Sequence, residues 1–114
     1  MLDPLRDIEL PSAVSAQGLR LSASGLKEVA WPRSAALEIL QLLRGKAIAV
    51  LGGDVVRLDG DHPRDAHENW HAEPAHAEPF VAYAQRSVEE AEAYITRDPE
   101  PSHYYVLVLA DRLP

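Results

Sequence analysis

Cysteine is absent from this chain of 114 residues. That excludes disulfides and thiolate chemistry and is compatible with a reducing compartment. Long apolar runs are missing as well, and none approaches the ~18 residues of a membrane span. The opening Met1-Leu2-Asp3-Pro4-Leu5-Arg6-Asp7 has neither the basic start nor the apolar run of a signal peptide. These absences point to a soluble, cytoplasmic protein. Internal repeats and low-complexity linkers are lacking too. The length suits one domain, residues 1–114, with one modest core and a poorly patterned lead-in over residues 1–18.

Positive charge is scarce in the second half. Residues 1–58 hold 7 Lys+Arg against 6 Asp+Glu, a net of +1, whereas residues 59–114 hold 4 against 12, a net of −8. An acidic half disfavours nucleic acid and anionic membrane as partners and suits a basic protein. Its alternative role is plain solubility.

What the chain does have is a distinctive middle. Ala47-Ile48-Ala49-Val50-Leu51-Gly52-Gly53-Asp54-Val55-Val56-Arg57-Leu58-Asp59-Gly60-Asp61 reads as two short apolar strands, broken at Gly52-Gly53 and stopped at Asp59-Gly60. Adjacent glycines supply what a tight turn or bulge needs, and Asp-Gly is a strong hairpin signal. A third strand is therefore expected, closing an antiparallel meander near Trp70. Asp54 is either a turn or bulge residue or a partner contact. The Gly52-Gly53-Asp54 run lacks the lysine and Ser/Thr of a phosphate loop. It resembles the start of the cyclic-dinucleotide synthase signature, but Val55-Val56 stand where that signature is completed.

Elsewhere the patterning is helical or extended. Ser12–Gly18 suggests a short helix, and Leu26–Trp31 a short strand. Pro32 suits the first turn of a helix whose stripe is Ala36, Leu37, Leu40 and Leu43, widened by Ile39 and Leu42 and stopped at Gly45. Lys46–Leu51 and Asp54–Leu58 read as strands. Residues 62–79 are interrupted by Pro63, Pro74 and Pro79 and resist assignment. After Pro79, the residues Phe80, Ala84, Val88, Ala91 and Ile95 share one helical face. Asp98-Pro99-Glu100-Pro101 breaks the chain, and Tyr104–Leu109 is the strongest strand, apolar on both faces. The expected fold is α+β: a small, mainly antiparallel sheet of about four to five strands packed by two main helices. Leu40, Leu51, Val88 and Leu107 are expected in its core. Trp70 is expected to plug a sheet face, and Trp31 is either a staple at the helix start or an exposed partner anchor.

His67-Glu68-Asn69-Trp70-His71 matches the H-E-x-x-H letters of zinc hydrolases, in which two imidazoles one helical turn apart hold the metal and the glutamate activates its water. Pro63 and Pro74 flank it, and the Asp-Gly turn before it argues for a strand. In a strand, positions i and i+4 lie ~13 Å apart, too far for one ion. Exposed loop and strand histidines are therefore the simpler reading of His62, His67, His71 and His76, with metal binding as the alternative. Ser87 and Ser102 show no nucleophile context.

Several of these pieces combine into a family pattern. Gly25-Leu26-Lys27-Glu28-Val29-Ala30, Ala36-Leu37, Ala49-Val50-Leu51-Gly52-Gly53-Asp54-Val55, Asn69-Trp70, Arg86-Ser87 and Ala91-x-x-Tyr94-Ile95 together resemble the immunity protein 40 family, from about Gly18 to Leu109. Two positions depart from it: Pro32, where the family tends to place a helix-capping Thr or Ser, and His67-Glu68 before the Asn-Trp pair. Such proteins accompany bacterial polymorphic toxins and are thought to neutralise the cognate toxin in the producing cell. The resemblance supplies no catalytic residue and no cofactor. It implies a protein that binds and blocks a toxin domain, for which the acidic half offers Asp59, Asp61, Asp65, Glu68, Glu73, Glu89, Glu90 and Glu92 as contacts, with Trp31 as a possible anchor. A metal-dependent hydrolase using His67, Glu68 and His71 is one rival. A homo-oligomeric module pairing through a Tyr104–Leu109 edge is the other.

Overall fold

The computed structural model describes residues 10–21 and 29–112. The expected residues Leu26-Lys27-Glu28, at the start of a strand, lie outside them. The described elements are α1 (Ser12–Ser15), β1 (Leu19–Arg20), β2 (Val29–Pro32), α2 (Arg33–Leu43), β3 (Ala49–Asp59), β4 (His62–His71), α3 (Phe80–Arg97) and β5 (Tyr104–Ala110). All five strands form one antiparallel sheet in the order β1-β2-β5-β3-β4. The fold is α+β, as the patterning implies.

Helices α2 and α3 cover one face. Their buried stripes, Ala35, Ala36, Ile39, Leu40 and Leu43 on α2 with Val88, Ala91 and Ile95 on α3, meet Trp31, Val50, Val55, Trp70 and Tyr105 from the sheet. Both helices start where proline allows, with Pro32 and Pro79 in extended geometry immediately before the first turn. On the opposite face, Ala30, Val56 and Val106 gather with Leu21. Alternate residues of β5 thus serve both sides, which is why that segment reads as uniformly apolar.

Three expectations need correction. The chain does not break at Gly52-Gly53: β3 runs through as one strand of eleven residues. The glycines instead sit beside a bulge. Val50 pairs with Leu109 but Gly52 with Val108, so Leu51 has no opposite residue on β5. Strand β5 is central, not an edge: of the expected Tyr104–Leu109 edge, Tyr104–Val106 is paired on both sides, with β2 and β3, while Leu107–Leu109 is paired with β3. In the core, Leu40 and Val88 are fully enclosed, whereas Leu51 and Leu107 are only half-buried against its margin.

The meander itself is as the sequence suggests. Asp59 pairs with His62 across a two-residue loop in which Gly60 takes φ +62°, a left-handed value that glycine adopts without a Cβ clash. Strand β4 then returns along β3. Between the pairs Asp54–Asn69 and Val56–Asp65, the single residue Val55 faces three, Ala66 to Glu68. His67 adopts φ +59° within this bulge, and its backbone N–H donates to Asp65 Oδ1 at 2.7 Å.

Candidate interaction groove between β4 and α3

The glycines of β3 exist for the tryptophan of β4. Gly53 lies opposite Trp70, and a Cβ on Gly53 would come within 2.3 Å of Trp70 Cη2 and 2.4 Å of the Val106 carbonyl oxygen. A Cβ on Gly52 would meet the Trp70 carbonyl oxygen at 2.2 Å. With both positions bare, the indole lies down on β3 and stacks on Tyr94 of α3, centroids 4.7 Å apart and planes 26° apart. Trp70 is 8% exposed, and its Nε1 proton finds no acceptor among the described residues. Asp54 and Asn69, opposite one another at the bulge, are exposed.

Two neighbours on α3 hold this arrangement. Ser87 is fully buried; its Oγ accepts from the Val50 N–H at 2.9 Å and donates to the Ala84 carbonyl at 2.8 Å. It thus satisfies a β3 donor next to the bulge, where the ladder is interrupted. Arg86 donates to both Glu78 oxygens (2.8 and 3.0 Å), to Glu90 at 3.0 Å and to the Glu73 carbonyl at 2.7 Å, with its guanidinium over the Tyr83 ring. This clamps the 72–79 connection onto α3. The Arg86 bonds, with the Ala75 N–H, hold the Glu78 carboxyl down at about 2.

Above the Trp70–Tyr94 pair, β4 and α3 leave an open groove of about 690 Å³. Its walls carry Glu68 and His71 from β4, with Arg86, Glu89, Glu90 and Arg97 from α3. Asp98 closes one end. Its side chain is 5% exposed, and Oδ2 accepts from Tyr105 Oη at 2.6 Å and contacts His103 Nδ1 at 2.7 Å. Burial alone would raise its pKa, but the bonds from Tyr105, the Glu100 N–H and His103 outweigh burial and hold it below the usual carboxylate value. Burial, then the Asp98 bond, pushes the Tyr105 hydroxyl up to about 12. Arg33 also donates to the Asp98 carbonyl, tying α2 to the same corner.

The expected contact residues are thus divided. Glu68, Glu89 and Glu90 line the groove, Glu68 near its Asp98 end. Asp59 and Asp61 stand at the exposed hairpin end, Asp59 paired with Arg64 at 2.9 Å. Asp65 is spent on the bulge, and Glu73 is exposed on the connection before α3. Glu92 faces the other way, half-buried and bonded to Arg44 and Gln41 of the α2 end, so it joins the two helices. Trp31 corrects an expectation: it is 5% exposed within the core and unavailable as a surface anchor. His67 and His71 lie on a bulged strand rather than the helix that the zinc motif requires. Ligand-type atoms of Glu68, Asp98 and His103 do lie within 4.8 Å of one another. However, the Asp98 oxygen nearest His103 is already occupied by Tyr105 and His103, and Arg33 donates to the Asp98 carbonyl, so Asp98 and His103 form a hydrogen-bonded corner beside which Glu68 stands without a bond among the described residues.

Sequence reasoning assigned no role to Arg86, Tyr94, Asp98 or His103. Arg86 and Tyr94 were visible only as letters of the family pattern, and the Asp98 corner forms between residues that no spacing rule links.

A family model described as Immunity protein 40 matches residues 20–109. No curated protein and no solved structure gives a significant match. The matched stretch takes in every part of the groove, from the glycines of β3 to the Asp98 corner, and the chain belongs to the immunity protein 40 family.

Proposed function

We propose that this protein neutralises a toxin domain of a bacterial polymorphic toxin system by binding it in the cytoplasm, with no catalysis or cofactor of its own. Family membership carries the class of function. The placement of acids supports the mode: Glu68, Glu89 and Glu90 line one groove, and Asp59, Asp61, Asp65 and Glu73 are exposed along the same acidic half. Blocking needs a complementary surface and charge of the right sign, both of which a basic toxin domain would meet here. The groove is rigid where it matters, since its floor is held by Gly53, Tyr94 and the Ser87 and Arg86 bonds; a preformed surface loses less entropy on binding. The test is co-expression with the toxin domain encoded beside this gene. Cells should survive only with the immunity protein present, and the two proteins should copurify as a stoichiometric complex. Survival without a complex would indicate another mechanism.

A further inference from the structure

Helices α2 and α3 cover one face of the sheet, and the strand register fixes what stands on the other. Residues directly opposite one another in neighbouring strands share a face. Asp54 therefore stands between Val106 of β5 and Asn69 of β4, with Val108 beside Gly52, Val56 beside Asp65, and Leu58 towards the hairpin end. Leu21 packs with Ala30, Val56 and Val106 and shields the β2 side of this face. Its β3–β4 side stays open. Three large apolar residues are exposed among the described residues, and two of them lie here: Val108 at 41% and Leu58 at 39%. Asp54 and Asn69 are exposed between them, and neither side chain has a hydrogen-bond or ion-pair partner among the described residues. Both residue types are depleted in strands, yet here they face each other within the sheet. Asp54 lies inside β3 and caps no turn, so the fold itself gives its carboxylate no task.

We propose that this open face is the docking surface for a basic patch of the toxin domain, with one cationic side chain seated on Asp54 and Asn69 and apolar side chains over Val108 and Leu58. The inference rests on the neutralising reading above. Charge complementarity selects the occupant. The open part of the face carries the carboxylates of Asp54 and Asp65 and, among the residues that the register places there, no lysine or arginine. The same acids repel a nucleic acid or an anionic lipid surface. A second copy of this chain, related by a two-fold axis, would bring those acids against one another. Side chains directly opposite on two strands have Cβ atoms ~4.5–5.5 Å apart, so Asp54 and Asn69 Oδ1 can accept from one lysine or arginine head. The aliphatic stem of that side chain then lies on neighbouring apolar surface such as Val108. Asn69 Nδ2 is left to donate to a carbonyl of the partner. Val108 stands opposite Gly52, and Gly52 to Leu58 spans roughly 20 Å along β3 at ~3.3 Å per residue. That length suits a protein contact with apolar anchors around a polar centre rather than a small ligand. Strand β4 is the sheet edge and also carries Glu68 of the groove, so one partner can contact both sides of it.

The test has two arms, both with the intact protein and the toxin domain encoded beside its gene. In the first, the labelled wild-type protein is titrated with the toxin domain while the Val108 methyl groups and the Asn69 side-chain amide are followed by NMR. Both sets of signals should move. In the second, Asp54→Lys and Val108→Asp should each weaken binding about tenfold or more by calorimetry, and Asp54→Asn should weaken it less. Both positions are exposed, and unchanged melting curves check that the variants fold. The first arm needs no variant, so it decides the matter even if one of them unfolds. A complex that leaves the Val108 and Asn69 signals in place, or that forms equally well with both reversed variants, overturns the proposal and leaves neutralisation intact. A free protein that dimerises until Val108→Asp separates it gives the face to a second copy and also overturns the proposal. A toxin domain that ignores the wild-type protein overturns neutralisation itself, and this docking surface with it.

Discussion

At the scale of single residues, the pattern Gly-Gly with a distant Asn-Trp has a physical meaning. Position 53 must be bare because an indole occupies the space of its side chain. Gly53→Ala forces Trp70 or β5 to shift, and such overpacking typically costs about 1–3 kcal/mol. Denaturant unfolding followed by tryptophan fluorescence should register that loss, and a wild-type midpoint would mean that the ring is not held there. Ser87→Ala acts differently. It creates little empty space but strands the buried Val50 N–H, for about 1–3 kcal/mol. Ser87→Thr retains the hydroxyl but adds a methyl group at a fully buried position, so it separates hydrogen bonding from packing. Leu40→Ala empties a fully buried site and should cost ~2–5 kcal/mol, while Leu107→Ala, at a half-buried site, should cost clearly less.

Among the elements, the 72–79 connection offers a pH-dependent expectation. The Glu78 carboxyl is lowered from 4.5 to about 2 by Arg86 and the Ala75 N–H. A depressed acid contributes stability that is whole above its unfolded value and lost as pH falls through the folded one. The Glu78 contribution is therefore intact above about 4.5 and drains away towards about 2. Asp98 acts in the same direction at the other end of α3. Glu78→Gln should be less stable than wild type at neutral pH and converge on it near pH 2, as read from denaturant midpoints across that range. Parallel curves would contradict the Arg86 clamp. How legible these elements were depended on what sets them. Helices α2 and α3 follow from apolar spacing and prolines, and β5 from β-formers, all of which are local signals. Strand β4 was obscured because Pro63 and its many charges contradict strand propensity, and only pairing with β3 makes it extended. The glycines misled as a strand break because local sequence registers their flexibility and not the tryptophan that requires it. The groove was legible only as a list of acids: which carboxylates are already engaged depends on long-range partners such as Arg86, Arg44 and Tyr105.

For the whole molecule, the decisive quantity is where the negative charge is left uncompensated. The net of −8 over residues 59–114 is partly internal, since Glu78, Glu90, Glu92 and Asp98 hold the fold together. What remains to steer a basic partner is the hairpin end, where Asp61 stands beside the exposed Asp59–Arg64 pair, and the groove. Steering acts on the association rate and fades with salt, because the Debye length falls from ~10 Å at 0.1 M to ~3 Å at 1 M. Charge reversal at Asp59 and Asp61 should therefore slow association with the toxin domain at low salt and leave dissociation nearly unchanged. Reversal at Glu89, an exposed acid lining the groove, should likewise slow association. Reversal at Glu92 would detach α3 from Arg44 and lower stability before it touched the partner. Trp31→Ala belongs with that last case, because a buried ring leaves a cavity and an altered melting temperature rather than a faster dissociation. Association and dissociation rates at low and high salt, measured beside melting curves for the same variants, separate these groups. An association rate indifferent to both salt and the hairpin reversals would reduce the acidic half to a solvated surface and leave binding to shape alone.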